Sequence, residues 1–200
     1  AYVSVDNHQN NDFKPYLLKT TDAGRTWTSL SANLPKNGPV LAIAEDHVDP
    51  NLLFAGTEFA AYFSKDGGQK WLKIAGLPTI AVREIVIQKR HHDLVLGTFG
   101  RGIYIVDDYS PLRSTTLEMT QKPATLVGAR DAMLYVPTQK YGGRGKSFQG
   151  DMLYTADNPP FGASITYHLK ESLKTLKQKR VEAEKAADKA GKPIEYPSFD

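Results

Sequence analysis

The chain has 200 residues, 40% of them hydrophobic, which is enough for one or two domains with a buried core. Its formal net charge of +3 is too small to imply a nucleic-acid partner, and the absence of cysteine removes disulfides and thiolate chemistry while leaving the compartment undecided. No apolar run approaches the roughly 18 residues of a membrane span. The opening residues, Ala1–Val5, read as a strand, not as a charged-then-apolar signal segment.

From there the chain repeats itself. Thr20-Thr21-Asp22-Ala23-Gly24-Arg25-Thr26-Trp27 returns as Ser64-Lys65-Asp66-Gly67-Gly68-Gln69-Lys70-Trp71, 44 residues on (20 to 64). Each copy lies between short apolar runs, so it reads as a hairpin turn in which Asp accepts amide hydrogen bonds and Gly supplies a positive φ. The Trp then opens the return strand and is expected in a core. The repetition continues: Leu34-Pro35 matches Leu77-Pro78, and the alternating run 40–44 matches 82–87. Leu52–Thr57 then matches Asp93–Thr98, and Ala61–Ser64 matches Ile103–Val106. Each unit thus supplies four short strands, first to fourth, and Tyr2–Val5 takes a second-strand place. A self-similar period of about 40 to 45 residues is that of propeller blades.

The phrase Ser/Thr-x-Asp-x-Gly-x-x-Trp resembles the Asp-box, or BNR repeat, of sialidases, sortilin-type propellers and some glycoside hydrolases. Gly97-Thr98-Phe99-Gly100-Arg101-Gly102-Ile103-Tyr104-Ile105-Val106-Asp107-Asp108 resembles the last blade of large bacterial sortilin-like proteins, often labelled glycosyl hydrolases. That family usually carries His where Phe99 stands and Thr where Lys70 stands. The resemblance covers residues 1–112, and more weakly the segment from Pro160 and the charged helix, which resemble the start of a C-terminal β-sandwich. It implies an extracellular or periplasmic location. The expected fold class is all-β: a partial β-propeller of about two and a half four-stranded blades, then a linker, short strands and a charged helix. The expected division is 1–112 blades, 113–158 linker with short strands and a Gly-rich loop, and 159–200 the beginning of a further domain. On this reading the chain is a fragment, and its first partner is the rest of the same ring, because isolated blades expose apolar faces.

Beyond Asp108 the pattern loosens. Residues 109–122 read as a polar linker, 124–128 and 132–136 as short strands, 138–151 as a basic Gly-rich loop and 163–169 as a strand. A helix is expected from about Lys170 to Ala190, stopped by Gly191 and Pro193. It holds eight basic and four acidic residues between Lys170 and Lys192, more simply a solvated face than a basic binding surface.

No pattern calls for a cofactor or a metal. Gly145-Lys146-Ser147 lacks the earlier Gly of a phosphate loop, and His91-His92-Asp93 reads as a tight polar turn. Thr20, Asp22, Gly24, Trp27, Ser64, Asp66, Gly68 and Trp71 are structural turn residues. In a four-stranded meander the second-to-third loops and the links between units share one end. That end collects residues 8–14, Glu58, Phe59, Arg83, Phe99 and Arg101, the ligand-binding candidates, with Glu58 and Arg101 at matching positions and expected to be neighbours. Two functions follow from the resemblance: a noncatalytic scaffold binding a peptide, protein or glycan, or part of a glycoside hydrolase. The second needs two carboxylates about 5 to 10 Å apart. Asp12, Glu45, Glu58 and Glu84 are available, and no spacing singles out a pair, so the catalytic residues are unknown.

Overall fold

A computed structural model describes residues 1–129, 131, 132, 134, 136, 161–194 and 196. The chain divides into two compact units, residues 1–115 and 116–200. Its sheets are antiparallel throughout.

In the first unit, strands β1 (Tyr2–Asn7), β2 (Asp12–Lys19) and β3 (Thr28–Ser29) form one sheet, with a 3₁₀ turn at His8–Asn10 between the first two. Strands β4 (Val40–Glu45), β5 (Leu53–Thr57), β6 (Ala61–Ser64) and β7 (Leu72–Lys73) form a four-stranded meander. Strands β8 (Val82–Gln88), β9 (Asp93–Thr98) and β10 (Ile103–Val106) form a third sheet. The middle sheet is covered on both faces, and β5 shows it: all five residues are buried. Successive side chains point to opposite faces. Leu53 and Ala55 join Leu17, Leu30, Leu34, Val40 and Trp71 on one side. Phe54 joins Ala61, Val82, Ile85, Leu94, Leu96 and Tyr109 on the other. Gly56 lets the third sheet approach, since a Cβ there would lie 2.5 Å from the Val82 carbonyl oxygen.

The outer faces differ. Val86, Val95 and Ile105 lie across from one another in register, and Val86, Ile103 and Ile105 are exposed. Val3 and Val5 are exposed on the first sheet, and Trp27 is exposed just before β3. The expectation that both Trp residues anchor a core is therefore corrected. Trp71 is 2% exposed and donates its indole N–H to the Leu30 carbonyl at 2.7 Å, whereas Trp27 is 43% exposed. Trp71 is roofed by Leu30 and Leu34 of the preceding repeat.

Residues 109–122 are not a plain linker. Tyr109 is buried edge-to-face against Phe54 at 5.0 Å, and two short helices follow, α1 (Pro111–Ser114) and α2 (Leu117–Gln121).

The second unit holds α2, strand β11 (Ala124–Ala129) and strand β12 (Ile165–Leu169), which pair with each other. Segments 113–158 and 159–200 therefore contribute one strand each to a single sheet. Of the strand expected over 132–136, the described residues 132, 134 and 136 are in no strand, and the others lie outside the described residues. The Gly-rich loop 138–151 also lies outside them. Helix α3 spans Leu176–Lys189, starting later than expected because Thr175 caps it: its hydroxyl accepts from the Gln178 amide, and the Gln178 side chain accepts from the Thr175 amide. No residue of α3 is buried, and Lys174–Glu182 and Arg180–Glu184 pair on its surface, as a solvated helix requires. Among the described residues no helix is long and apolar enough to cross a membrane.

Candidate binding site

The two Asp-rich turns are built alike. Thr20 Oγ1 donates to Asp22 Oδ1 at 2.8 Å and accepts from the Gly24 amide at 2.9 Å, while the Thr26 amide donates to Asp22 Oδ1 at 2.9 Å. Ser64, Asp66, Gly68 and Lys70 repeat the arrangement at 2.7, 2.8 and 2.9 Å. The first turn adds a bond that Lys70 cannot make, from the Thr26 hydroxyl to Asp22 Oδ2 at 2.6 Å. The Thr26 hydroxyl, then its amide, hold the Asp22 carboxyl down at about 2. Both carboxylates are consumed by the backbone they organise.

At the opposite end of the strands an open depression of about 460 Å³ is lined by Asp6, His8, Phe13, Asn37, Gly38, Pro39, Glu58, Phe59 and Arg83. Backbone hydrogen bonds tie its rim together. The Gly38 amide donates to the Phe13 carbonyl at 2.8 Å, the Glu58 amide to Pro39 at 3.2 Å and the Ile80 amide to Phe59 at 3.3 Å. Gly38 has φ +109, and a Cβ on it would sit 3.1 Å from the Phe59 ring and 3.3 Å from Glu58 Cβ, so glycine is required by both conformation and space.

Three of the five ligand-binding candidates, Glu58, Phe59 and Arg83, meet in this depression. Phe99 stands just beyond: the Arg83 guanidinium lies over its ring, 5.1 Å from the centroid. Arg101 does not line it, and no ion pair joins Arg101 to Glu58 among the described residues. The two are not at matching positions. The Thr57 hydroxyl donates to the Ala60 carbonyl three residues on, whereas the Thr98 hydroxyl donates to Gly102, four residues on. Counted from the Thr, Phe99 stands in the place of Glu58; counted back from the next strand, Arg101 stands in the place of Phe59.

The carboxylates are unequal. Asp12 accepts from Tyr16 Oη at 2.6 Å and Glu45 from Tyr2 Oη at 2.6 Å, so both are engaged. Asp6, unmarked by any pattern in the sequence, accepts from the His8 amide at 3.1 Å and faces His8 Nδ1 at 2.8 Å. The amide first, then the imidazole, hold its carboxyl below the usual range. Glu84 sits opposite Gly97 on the third sheet, away from the depression's lining. Asn37-Gly38 was the one legible hint of the missing wall, as a turn dipeptide.

At the Asp-turn end a second cluster gathers around Asp46, which is 3% exposed. Its carboxylate receives Arg113 Nε and Nη2, each at 2.8 Å, the Tyr109 hydroxyl at 2.5 Å, and the amides of Val48 and Asp49. Burial alone would raise the Asp46 carboxyl, but Arg113 and Tyr109 outweigh it and hold it far below the carboxylate range. The His47 and His92 rings stack at 5.3 Å beside it, with Arg113 Nη2 3.3 Å from His92 Nδ1. Among the described residues no group of three or more His, Cys, Asp or Glu side chains is gathered as a metal would require.

Comparison with protein-family models and with curated proteins finds no match for this chain.

Proposed function

We propose that this chain is an arc of an Asp-box β-propeller of the bacterial sortilin-like kind, extracellular or periplasmic, that binds a protein or glycan ligand without cleaving it. The carrying observation is the convergence of side chains from five separate segments on one depression: Asp6 and His8, Phe13, Asn37–Pro39, Glu58 with Phe59, and Arg83. Four-stranded meandering and face-on stacking of consecutive sheets support the blade reading, as do the paired Asp turns. The exposed apolar faces carrying Val3 and Val5 on one side and Val86, Ile103 and Ile105 on the other are the seats of further blades.

Binding without hydrolysis is favoured by how the carboxylates are used. A general acid must stay protonated near neutral pH. Asp6 is pushed the other way by His8, and Asp12 and Glu45 are taken up by tyrosine hydroxyls. Glu58 has no second free carboxylate facing it in the lining. A glycan array and a reducing-sugar screen test this directly. Binding without sugar release, lost on Phe59→Ala, is expected, and turnover of any glycan that Glu58→Gln abolishes would establish the hydrolase instead.

A further inference from the structure

We infer that the depression takes a basic side chain, lysine or arginine, of a peptide segment. This rests on the binding reading above. The charges in the lining are Asp6, Glu58 and Arg83, with His8 bonded to Asp6. Asp6 is filled by the His8 amide and ring, and Arg83 is laid over Phe99. That leaves Glu58, whose carboxylate makes no ion pair and no side-chain hydrogen bond among the described residues. It is the acceptor with capacity to spare.

The rings beside it decide what it accepts. Phe13 and Phe59 are each 48% exposed in the same lining, an unusual cost for two phenylalanines unless something covers them. Aromatic faces are negative at the centre and attract ammonium or guanidinium groups, and the aliphatic stem of lysine or arginine covers ring surface while its head stays polar. An acidic ligand group would meet two carboxylates against one cation, Arg83. A neutral sugar could bond Asn37, Glu58 and the N–H groups of Arg83, which stacking on Phe99 does not use, but it would gain nothing from the excess of negative charge in the lining. A basic side chain uses the charge of Glu58 and the two ring faces, with Arg83 held over Phe99.

The test uses the whole chain and four labelled pentapeptides, Ala-Ala-Xaa-Ala-Ala with blocked ends, where Xaa is lysine, arginine, acetyl-lysine or glutamate. Binding is followed by fluorescence polarisation and by chemical-shift changes up to millimolar peptide. The lysine and arginine peptides are expected to bind about tenfold tighter than the other two, with that preference fading in high salt. Glu58→Gln should erase the difference between lysine and acetyl-lysine, Phe59→Ala should weaken all binding, and Lys73→Ala, on β7, should change nothing. Melting curves confirm that each variant is folded. Equal binding of acetyl-lysine, or no peptide binding at millimolar concentration, overturns the inference. If a glycan then binds and Phe59→Ala removes it, the site stands and only its ligand class is wrong. If Phe59→Ala leaves every ligand untouched, the site itself fails.

Discussion

The side chain of Asn33 closes a ring of two hydrogen bonds on the backbone of Trp71. Its Nδ2 donates to the Trp71 carbonyl at 2.9 Å and its Oδ1 accepts from the Trp71 amide at 2.7 Å. The amide thus acts as one extra residue of sheet, joining the end of one repeat to the Asp turn of the next. Trp71 answers with its indole N–H to Leu30, so three hydrogen bonds cross between repeats at one residue. Asn33→Ala should cost about 1–3 kcal/mol, because it leaves a backbone pair at a packed junction without partners. Urea melts followed by tryptophan fluorescence measure it, and an unchanged midpoint would show that water replaces the side chain at no cost.

The two tryptophans should behave oppositely. Trp71→Ala removes a large ring from the cluster of Leu17, Leu30, Leu34 and Leu53, and is expected to cost about 3–5 kcal/mol. Trp27→Ala, at a position 43% exposed, should cost less than about 1 kcal/mol in the same melts. Equal losses would mean that something in solution covers Trp27.

The repeat made the strands, turns and rim loops legible, because an Asp-small-Gly turn and period-two apolar runs are local signals. Sequence could not distinguish Trp27 from Trp71, since burial of the ring is decided by leucines contributed by another repeat. It also misplaced Arg101, because one inserted residue between Thr98 and Gly102 shifts the loop without disturbing the pattern. Tyr109 and Arg113 looked like linker because their partner, Asp46, is more than 60 residues away. Asp6 belongs to the same class: its role comes from meeting Phe59 and Arg83 in space, not from its neighbours in the chain.

The tips of the two turns offer a matched pair of substitutions. Ala23 is held at φ +59, where a side chain costs roughly 1–2 kcal/mol, and its counterpart in the second turn is Gly67 at φ +71. Ala23→Gly relieves that strain and loses part of the gain to unfolded-chain entropy, for a net stabilisation of about 0.5 kcal/mol. Gly68→Ala does the reverse: φ is +95 and the new Cβ would lie 2.9 Å from Leu30 Cδ1, so a loss of about 2 kcal/mol or more is expected. Thermal melts of both variants decide, and a destabilising Ala23→Gly would refute the strain argument.

The cluster around Asp46 contributes two steps to the pH dependence of the first unit, the acid one shared with Asp22 and the other lowered carboxylates. The Asp46 carboxyl is held far below its ordinary 3.8, so its contribution is complete above that value and is lost as pH falls through the lower folded value. The His92 imidazole is lowered from 6.5, first by burial, then by the Arg113 guanidinium and His47, against the opposing pull of Asp108 and Asp46. A lowered histidine contributes stability that is present above 6.5 and declines as pH falls below it, until the folded state also takes the proton. Stability should therefore fall between neutral pH and the weakly acidic range, level off, and fall again in strong acid. His92→Gln should flatten the first step and leave the second. Arg113→Met should cost about 3–5 kcal/mol near neutral pH, because it leaves the Asp46 carboxylate buried beside Tyr109 without its cation, and Asp46→Asn in the same chain should recover part of that. Urea midpoints measured from pH 7.5 down to about 1.5 for the parent chain and these variants read all three expectations. A first step that survives His92→Gln would move the titration to another group, and an Arg113→Met change below about 1 kcal/mol would mean that α1 does not clamp the sheets it touches.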